Sequence, residues 1–226
     1  MTNTISDTES QTTFLAVTEI YKSIQGESTW AGLPCVFVRL TGCPLRCVWC
    51  DTAYAFKGGD AMSVADVVEA VKALDCPLVE ITGGEPLGQR NCGPLAQALL
   101  NADLTVLCET SGALPIDQLP DEVIKIMDLK CPGSGELLRN DWDNIAKLSK
   151  EDEVKFVIAD RADYEWARDI TRERDLTSKV NAVLFSPVFG PQDPQALVEW
   201  IMKDGLDVRF QLQMHKFVWP PETKGV

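Results

Sequence analysis

Short apolar runs bounded by polar clusters recur along this chain, and between them the spacing of apolar residues shifts from two to roughly 3.6. The runs rich in β-branched and aromatic residues predict strands over 17–23, 35–40, 78–81, 104–109, 123–129, 154–159, 182–185 and 208–213, the first as an edge addition. Ser63-Val64-Ala65-Asp66 has the form of a capping box, and Val64, Val67, Val68, Val71 and Leu74 then fall on one helical face. Asp193 as N-cap, Pro194 at the first helical position, an apolar stripe of Leu197, Trp200 and Ile201, and Gly205 past the end predict a second helix. Helical spacing also covers 93–101, 142–150 and 163–174. No repeat or long linker interrupts the alternation, so the class is α/β, with a parallel sheet that is either open or curled toward a barrel.

The polar positions favour the curled form. Arg39, Glu80 to Thr82, Glu109 to Ser111, Asp128 to Lys130 and Gln211 to His215 all fall late in their strands, where the interior of a barrel meets its ligand. A partial, incomplete β/α barrel would gather them into one site. The plainer alternative is that strand-end polar groups face solvent.

Composition narrows the picture. The chain has 226 residues, 45% hydrophobic and 24% charged, enough for the core of one domain over 14–226. Residues 1–13 are rich in Thr and Ser, without Lys, Arg or an apolar run, so a disordered tail is expected rather than a signal or transit peptide. No stretch approaches the roughly 20 apolar residues of a membrane span. A cytoplasmic protein is expected, in a reducing compartment where the eight cysteines serve better as metal ligands than as disulfides. A net charge of −13 argues against wrapping nucleic acid, whose phosphates need clustered Lys and Arg. His215 is the single histidine, which excludes multi-histidine metal sites.

The most specific pattern is Cys43-Pro44-Leu45-Arg46-Cys47-Val48-Trp49-Cys50. Three thiolates at this spacing can cover one side of a compact metal centre and leave a position open, whereas iron–sulfur clusters usually take four cysteines and structural zinc wants four closed ligands. An iron–sulfur centre that binds something else fits best. A zinc site completed by Cys35, Cys76, Cys92, Cys108 or Cys131, with no catalysis, is a second reading, and thiols that merely pack are a third.

The cysteine loop after one strand, followed by Thr82-Gly83-Gly84-Glu85-Pro86 after the next, resembles the radical S-adenosylmethionine (SAM) enzymes. That resemblance implies a 4Fe-4S cluster on Cys43, Cys47 and Cys50, with SAM chelated to the open iron. A narrower one covers nearly the whole ordered chain. Tyr21-Lys22-Ser23-Ile24-Gln25-Gly26-Glu27-Ser28, Val38-Arg39-Leu40 leading into Thr41-Gly42-Cys43, Cys50-Asp51-Thr52, and Gln211-Leu212-Gln213-Met214-His215-Lys216 are similar to the 7-carboxy-7-deazaguanine synthases.

This second resemblance implies substrate contacts from Ile24, Gln25, Gly26, Arg39, Thr82 and His215, and a SAM pocket lined by Trp49, Cys50, Asp51 and Gly84. Asp128, Leu129 and Lys130 stand where relatives carry a Ser-Pro-Lys stretch, so of these Lys130 alone matches in type. Thr52 would supply an oxygen to Mg²⁺, a hard cation that keeps several waters and takes few protein ligands; its alternative role is to cap the turn after Asp51. The implied reaction begins with a 5′-deoxyadenosyl radical that abstracts hydrogen from carbon 6 of 6-carboxy-5,6,7,8-tetrahydropterin. The ring then contracts and ammonia leaves. Family habit implies a homodimer and a flavodoxin-type electron donor. A glycyl-radical activating enzyme, which acts on a protein backbone, is the nearest rival.

Overall fold

The computed structural model describes residues 14–226, so the expectation of an N-terminal tail lies outside the described residues. Nine strands form a single sheet in the order β3-β1-β2-β4-β5-β6-β7-β8-β9. They are β1 (Phe14–Ile24), β2 (Pro34–Leu40), β3 (Asp60–Ser63), β4 (Leu78–Gly83), β5 (Thr105–Thr110), β6 (Ile124–Asp128), β7 (Glu153–Ile158), β8 (Ala182–Pro187) and β9 (Arg209–Phe210). From β2 through β9 every pairing is parallel, while β1 runs antiparallel to both β2 and β3. The sheet stays open, with β3 and β9 as its edges, in keeping with the incomplete barrel expected.

The helices are α1 (Val64–Ala73), α2 (Cys92–Leu100), α3 (Arg161–Glu173), α4 (Leu176–Lys179), α5 (Pro194–Asp204) and α6 (His215–Val218). Ser63 caps α1 as the sequence predicts, its Oγ accepting the Asp66 N–H at 3.1 Å. Val36, Val38, Val79 and Ile81 pack with Val67, Val71, Leu95 and Leu99 of α1 and α2. Val154, Phe156, Val183 and Phe185 pack with Tyr164, Ala167, Leu197 and Ile201 of α3 and α5. Because side chains alternate across a strand, this apolar face commits the other one to whatever polar residues interleave.

Four sequence expectations change. The first strand is interior, since β3 takes the edge; four residues after the glycine turn at Gly58 and Gly59 are too few for a visible alternation. The run 142–150 is a 3-10 helix over Trp142–Lys147, because the Asp152 carboxylate takes the N–H and hydroxyl of Ser149 and ends it. The last strand shrinks to Arg209–Phe210. His215 therefore opens α6 rather than lying in a strand: the Gln211 side chain turns to the Ser28 carbonyl at 2.7 Å and draws the chain off the sheet.

Candidate active site

The cysteine loop leaves the end of β2. Leu45, fully buried, anchors it, and the Leu45 N–H donates to Cys43 Sγ at 3.4 Å. The Val48 N–H donates to the Ser134 carbonyl at 3.0 Å and the Arg46 N–H to Glu136 at 2.5 Å, tying the loop to the segment after β6. Arg46 folds back over the Phe56 ring at 4.2 Å and donates to the Cys43 carbonyl at 2.8 Å. Cys43, Cys47 and Cys50 are free and partly exposed, whereas Cys35, Cys76, Cys92, Cys108 and Cys131 are buried. Among the described residues no three His, Cys, Asp or Glu side chains converge on one ion. Burial pushes the Cys43 and Cys47 thiols up, and the nearby Lys130 ammonium opposes that shift.

The Gly-Gly-Glu segment packs against this loop. The Gly84 N–H donates to the Leu40 carbonyl at 3.1 Å and the Glu85 N–H to the Gly42 carbonyl at 2.8 Å. A Cβ on Gly84 would lie 2.2 Å from the Gly42 oxygen, and one on Gly83, where φ is +146°, 2.1 Å from the Leu40 oxygen. Here the missing side chains admit the cysteine loop's own backbone. Glu85 is completely buried; its carboxylate accepts the Thr110 hydroxyl at 2.8 Å and the Ser111 N–H at 2.6 Å, locking β4 to β5.

Parallel register lines up the polar residues. Arg39 pairs with Thr82 and Asp128 with Lys155. Glu80, Thr82, Glu109, Asp128 and Lys155 thus share the face that the helices leave uncovered. Lys155 donates to Glu27 at 2.8 Å and to Glu109, and Thr82 Oγ1 lies 3.5 Å from Glu109. Burial would lower the Lys155 ammonium, but Glu109, Glu27 and Asp128 hold it well above the usual lysine range. Burial likewise works to raise Glu27, and Lys155 overcomes it and keeps that carboxyl low. Glu80, buried and facing the Glu109 charge, is pushed up, and it accepts a hydrogen bond from Gln25 Nε2.

An inner loop over 25–33 supplies Gln25 and Glu27 to this face, starting from Ile24 at the end of β1. The Thr29 N–H adds a bond to Glu153 at 3.1 Å. A Cβ on Gly26 would fall 2.5 Å from His215 Nδ1, and the Gly26 carbonyl accepts the Met214 N–H at 2.9 Å. The loop therefore seats α6. Gln213 reaches Glu27 at 3.0 Å and Asp51 at 3.5 Å, so the inner loop, the segment 211–218 and the cysteine loop form one wall.

The remaining expected residues lie along that wall or beside it. Trp49 is partly exposed between Cys47 and Cys50. The Thr52 hydroxyl donates to Asp51 at 2.8 Å, and Lys216 pairs with Asp51 at 2.6 Å. Burial would raise the Asp51 carboxyl, yet Lys216 and Thr52 hold it down at about 2. Lys130 pairs with Asp128 at 2.9 Å, and the Asn140 amide clamps the Lys130 backbone at 2.9 and 3.0 Å. The Leu129 side chain belongs to the core, and its N–H donates to the Lys155 carbonyl at 2.9 Å. Arg39 donates to Glu19 at 2.7 Å and to the Tyr21 hydroxyl at 2.8 Å.

Sequence reasoning missed Lys155, Glu19, Lys216 and Asn140 as parts of this site. Lys155 left a trace, a cation inside the apolar run Val154 to Ile158, where an unpaired charge would be costly. The donor set suits a cluster that takes three thiolates: three unpaired cysteines on one short loop, with the Lys130 ammonium beside them to offset negative charge.

Comparison with known proteins agrees. Residues 37–130 match the radical SAM superfamily. The 7-carboxy-7-deazaguanine synthase of Koribacter versatilis is 50% identical, over 94% of this chain and 100% of the relative. That of Chlorobaculum tepidum is 44% identical, over 94% of this chain and 97% of the relative. Among solved structures, QueE from Escherichia coli superposes with a TM-score of 0.70 at 21% identity, covering 89% of this chain and 95% of that one. SuiB from Streptococcus suis, solved bound to S-adenosylmethionine, gives 0.55 at 17% identity, over 76% of this chain and 48% of that one. At such identities the two structures speak for the fold.

Proposed function

The chain belongs to the 7-carboxy-7-deazaguanine synthase family within the radical SAM superfamily, and on that premise we propose that it converts 6-carboxy-5,6,7,8-tetrahydropterin to 7-carboxy-7-deazaguanine. Superfamily membership implies a 4Fe-4S cluster and SAM. When bound, they supply a carbon radical that removes one hydrogen atom from the substrate. Product and substrate differ by one molecule of ammonia, so the rearrangement needs no further oxidant or reductant.

The observation that carries the reading is the polar row on the open sheet face. Parallel register sets Thr82 beside Arg39 and carries Glu109, Asp128 and Lys155 along the same face of the sheet. Cys43, Cys47 and Cys50 hold the cluster. Trp49, Asp51, Gly84 and the Asp128 to Lys130 segment border SAM. Arg39 takes the substrate carboxylate, since a guanidinium matches a carboxylate with paired donors. Glu27, kept ionised by Lys155, and Glu109, paired with the same ammonium, accept hydrogen bonds from the N–H groups of the aminopyrimidinone ring. Gln25, Gly26, Thr82 and His215 complete the substrate wall. Fixing the substrate this closely is what lets one hydrogen be reached and competing reactions be kept out.

Thr52 supplies an oxygen to Mg²⁺, its hydroxyl already turned toward the Asp51 carboxylate. Residues 14–226 act as one radical SAM domain built on the single sheet. The protein works in the cytoplasm as a homodimer supplied with electrons by a flavodoxin-type carrier. In support of a soluble enzyme, no helix among the described residues is long and apolar enough to cross a membrane.

The test is an anaerobic assay of reconstituted protein with dithionite, SAM, Mg²⁺ and 6-carboxytetrahydropterin, followed by mass spectrometry. Formation of 5′-deoxyadenosine together with 7-carboxy-7-deazaguanine is expected. 5′-Deoxyadenosine alone would overturn the substrate assignment, and neither product from fully iron-loaded protein would overturn the activity.

A further inference from the structure

β1 contains a bulge. Val17 pairs with Leu40, but the next pair is Glu19 with Arg39, so Thr18 is the extra residue. In regular register Thr18 would oppose Arg39 and Glu19 would oppose Val38, pointing with Val17 toward the helices; with Thr18 left unpaired, Glu19 crosses to the open face. A bond of 2.7 Å between the Thr18 and Thr41 hydroxyls braces the bulge. The irregularity thus places an acid directly opposite Arg39.

Arg39 is held on one edge of its guanidinium. Nε donates to Glu19 at 2.7 Å and Nη2 to the Tyr21 hydroxyl at 2.8 Å. The Tyr54 hydroxyl donates to the same Glu19 oxygen at 2.7 Å, and the Tyr21 and Tyr54 rings flank the guanidinium at 5.9 and 5.8 Å from its carbon. Of the five donors a guanidinium carries, the Nη1 pair and one on Nη2 have no partner among the described residues. These form the end-on fork, the edge that receives a carboxylate through two parallel bonds. The Lys224 ammonium lies 4.3 Å from the centre of the Tyr54 ring.

We propose that Glu19 is a positioning residue that fixes Arg39 with its end-on fork turned to the substrate, so that this chain selects carboxylated pterins over pterins without that group. The inference rests on the reading that Arg39 takes the substrate carboxylate. Glu19 occupies the side edge, Tyr21 and Tyr54 restrict rotation, and the entropy of ordering a long side chain is lost at folding rather than at binding.

The experiment measures equilibrium binding of two unreactive oxidised ligands, 6-carboxypterin and unsubstituted pterin, to anaerobic reconstituted holoenzyme with SAM, by quenching of pterin fluorescence. Charge-assisted hydrogen bonds predict that the wild type favours the carboxylated ligand by roughly 10- to 100-fold. Arg39→Gln should abolish that preference. Glu19→Gln should lower it about tenfold while leaving the affinity for unsubstituted pterin unchanged, with Glu19→Asp recovering part of it. If Arg39→Gln keeps the preference, the assignment of Arg39 is wrong and the proposal falls with it. If Arg39→Gln abolishes the preference but Glu19→Gln and Glu19→Ala keep it, Arg39 stands and the role of Glu19 is overturned. Equal weakening of both ligands by Glu19→Gln would mean that Glu19 only ties β1 to β2.

Discussion

The cysteine loop and the inner loop both border the open face of the sheet, and they are built on opposite principles. The ligating pattern of the cysteine loop is contained in Cys43 to Cys50, and its chief support, Gly83 and Gly84, lies at the end of the neighbouring strand. The inner loop closes its own backbone, with the Gln25 N–H on the Leu33 carbonyl and the Gly32 N–H on the Gln25 carbonyl at 2.8 Å each, but its ties to the open face come from far along the chain. Gln25 bonds Glu80, which lies 55 positions away, Glu27 bonds Lys155 at a separation of 128, and Ser28 receives Gln211 at 183. On the proposed assignment, cofactor chelation is concentrated in a short motif, while substrate recognition is dispersed over strands that meet only after folding. A local motif tolerates perturbation elsewhere in the fold. A dispersed site inherits every error in register.

That contrast can be broken from either side. The largest effect on activity is expected from replacing any of Cys43, Cys47 or Cys50 with Ala, which should remove the iron and the 400 nm region absorbance of the reconstituted protein and take turnover to background. Because these thiols are partly exposed, the urea midpoint of the iron-free protein should hardly move. A large loss of stability would show that the loop is a folding element. Lys155→Met attacks the other side. It leaves Glu27 and Glu109 facing each other without their cation, which costs about 3 to 5 kcal/mol when a buried pair is broken. Chemical denaturation would report that loss, and a shift under about 1 kcal/mol would show the cluster to be solvated rather than structural.

Gly84→Ala sits between the two cases. Its Cβ would strike the Gly42 carbonyl at 2.2 Å, so overpacking of about 2 kcal/mol should accompany a cysteine loop that retains less iron. Gly26→Ala meets a movable imidazole, with His215 Nδ1 at 2.5 Å, and should cost about 1 kcal/mol. Its signature is a raised KM for the pterin with iron content intact; unchanged KM would detach His215 from the substrate wall.

The smallest effect is pH-dependent. Burial and the Glu109 charge raise the folded pKa of Glu80 above its unfolded value of about 4.3. Its contribution to stability is complete below that value and is lost as pH rises through the folded pKa. Glu80→Gln, which can still accept from Gln25, should therefore match the wild type near about pH 4 and exceed it increasingly toward about pH 8. Urea midpoints that differ by a constant amount across that range would place the Glu80 pKa in the ordinary range.

Amino-acid order by itself determined the strand and helix alternation, the capping of α1 and α5, and the cluster motif, because each depends on residues within about ten positions of one another. Tertiary structure decided the rest. The placement of β3 at the edge, the shortening of β9 and the position of His215 at the head of α6 follow from contacts with β1 and the inner loop that no local pattern records. Arg39, Thr82 and Glu109 were legible as polar strand ends, but their partners Glu19 and Lys155 were not. Lys155 becomes sensible only when parallel register sets it beside Asp128, and Glu19 only when the bulge at Thr18 turns it to the same face. The physical reason is that the identity of a ligand-binding residue is a property of one position, whereas its orientation and charge balance belong to neighbours supplied by register.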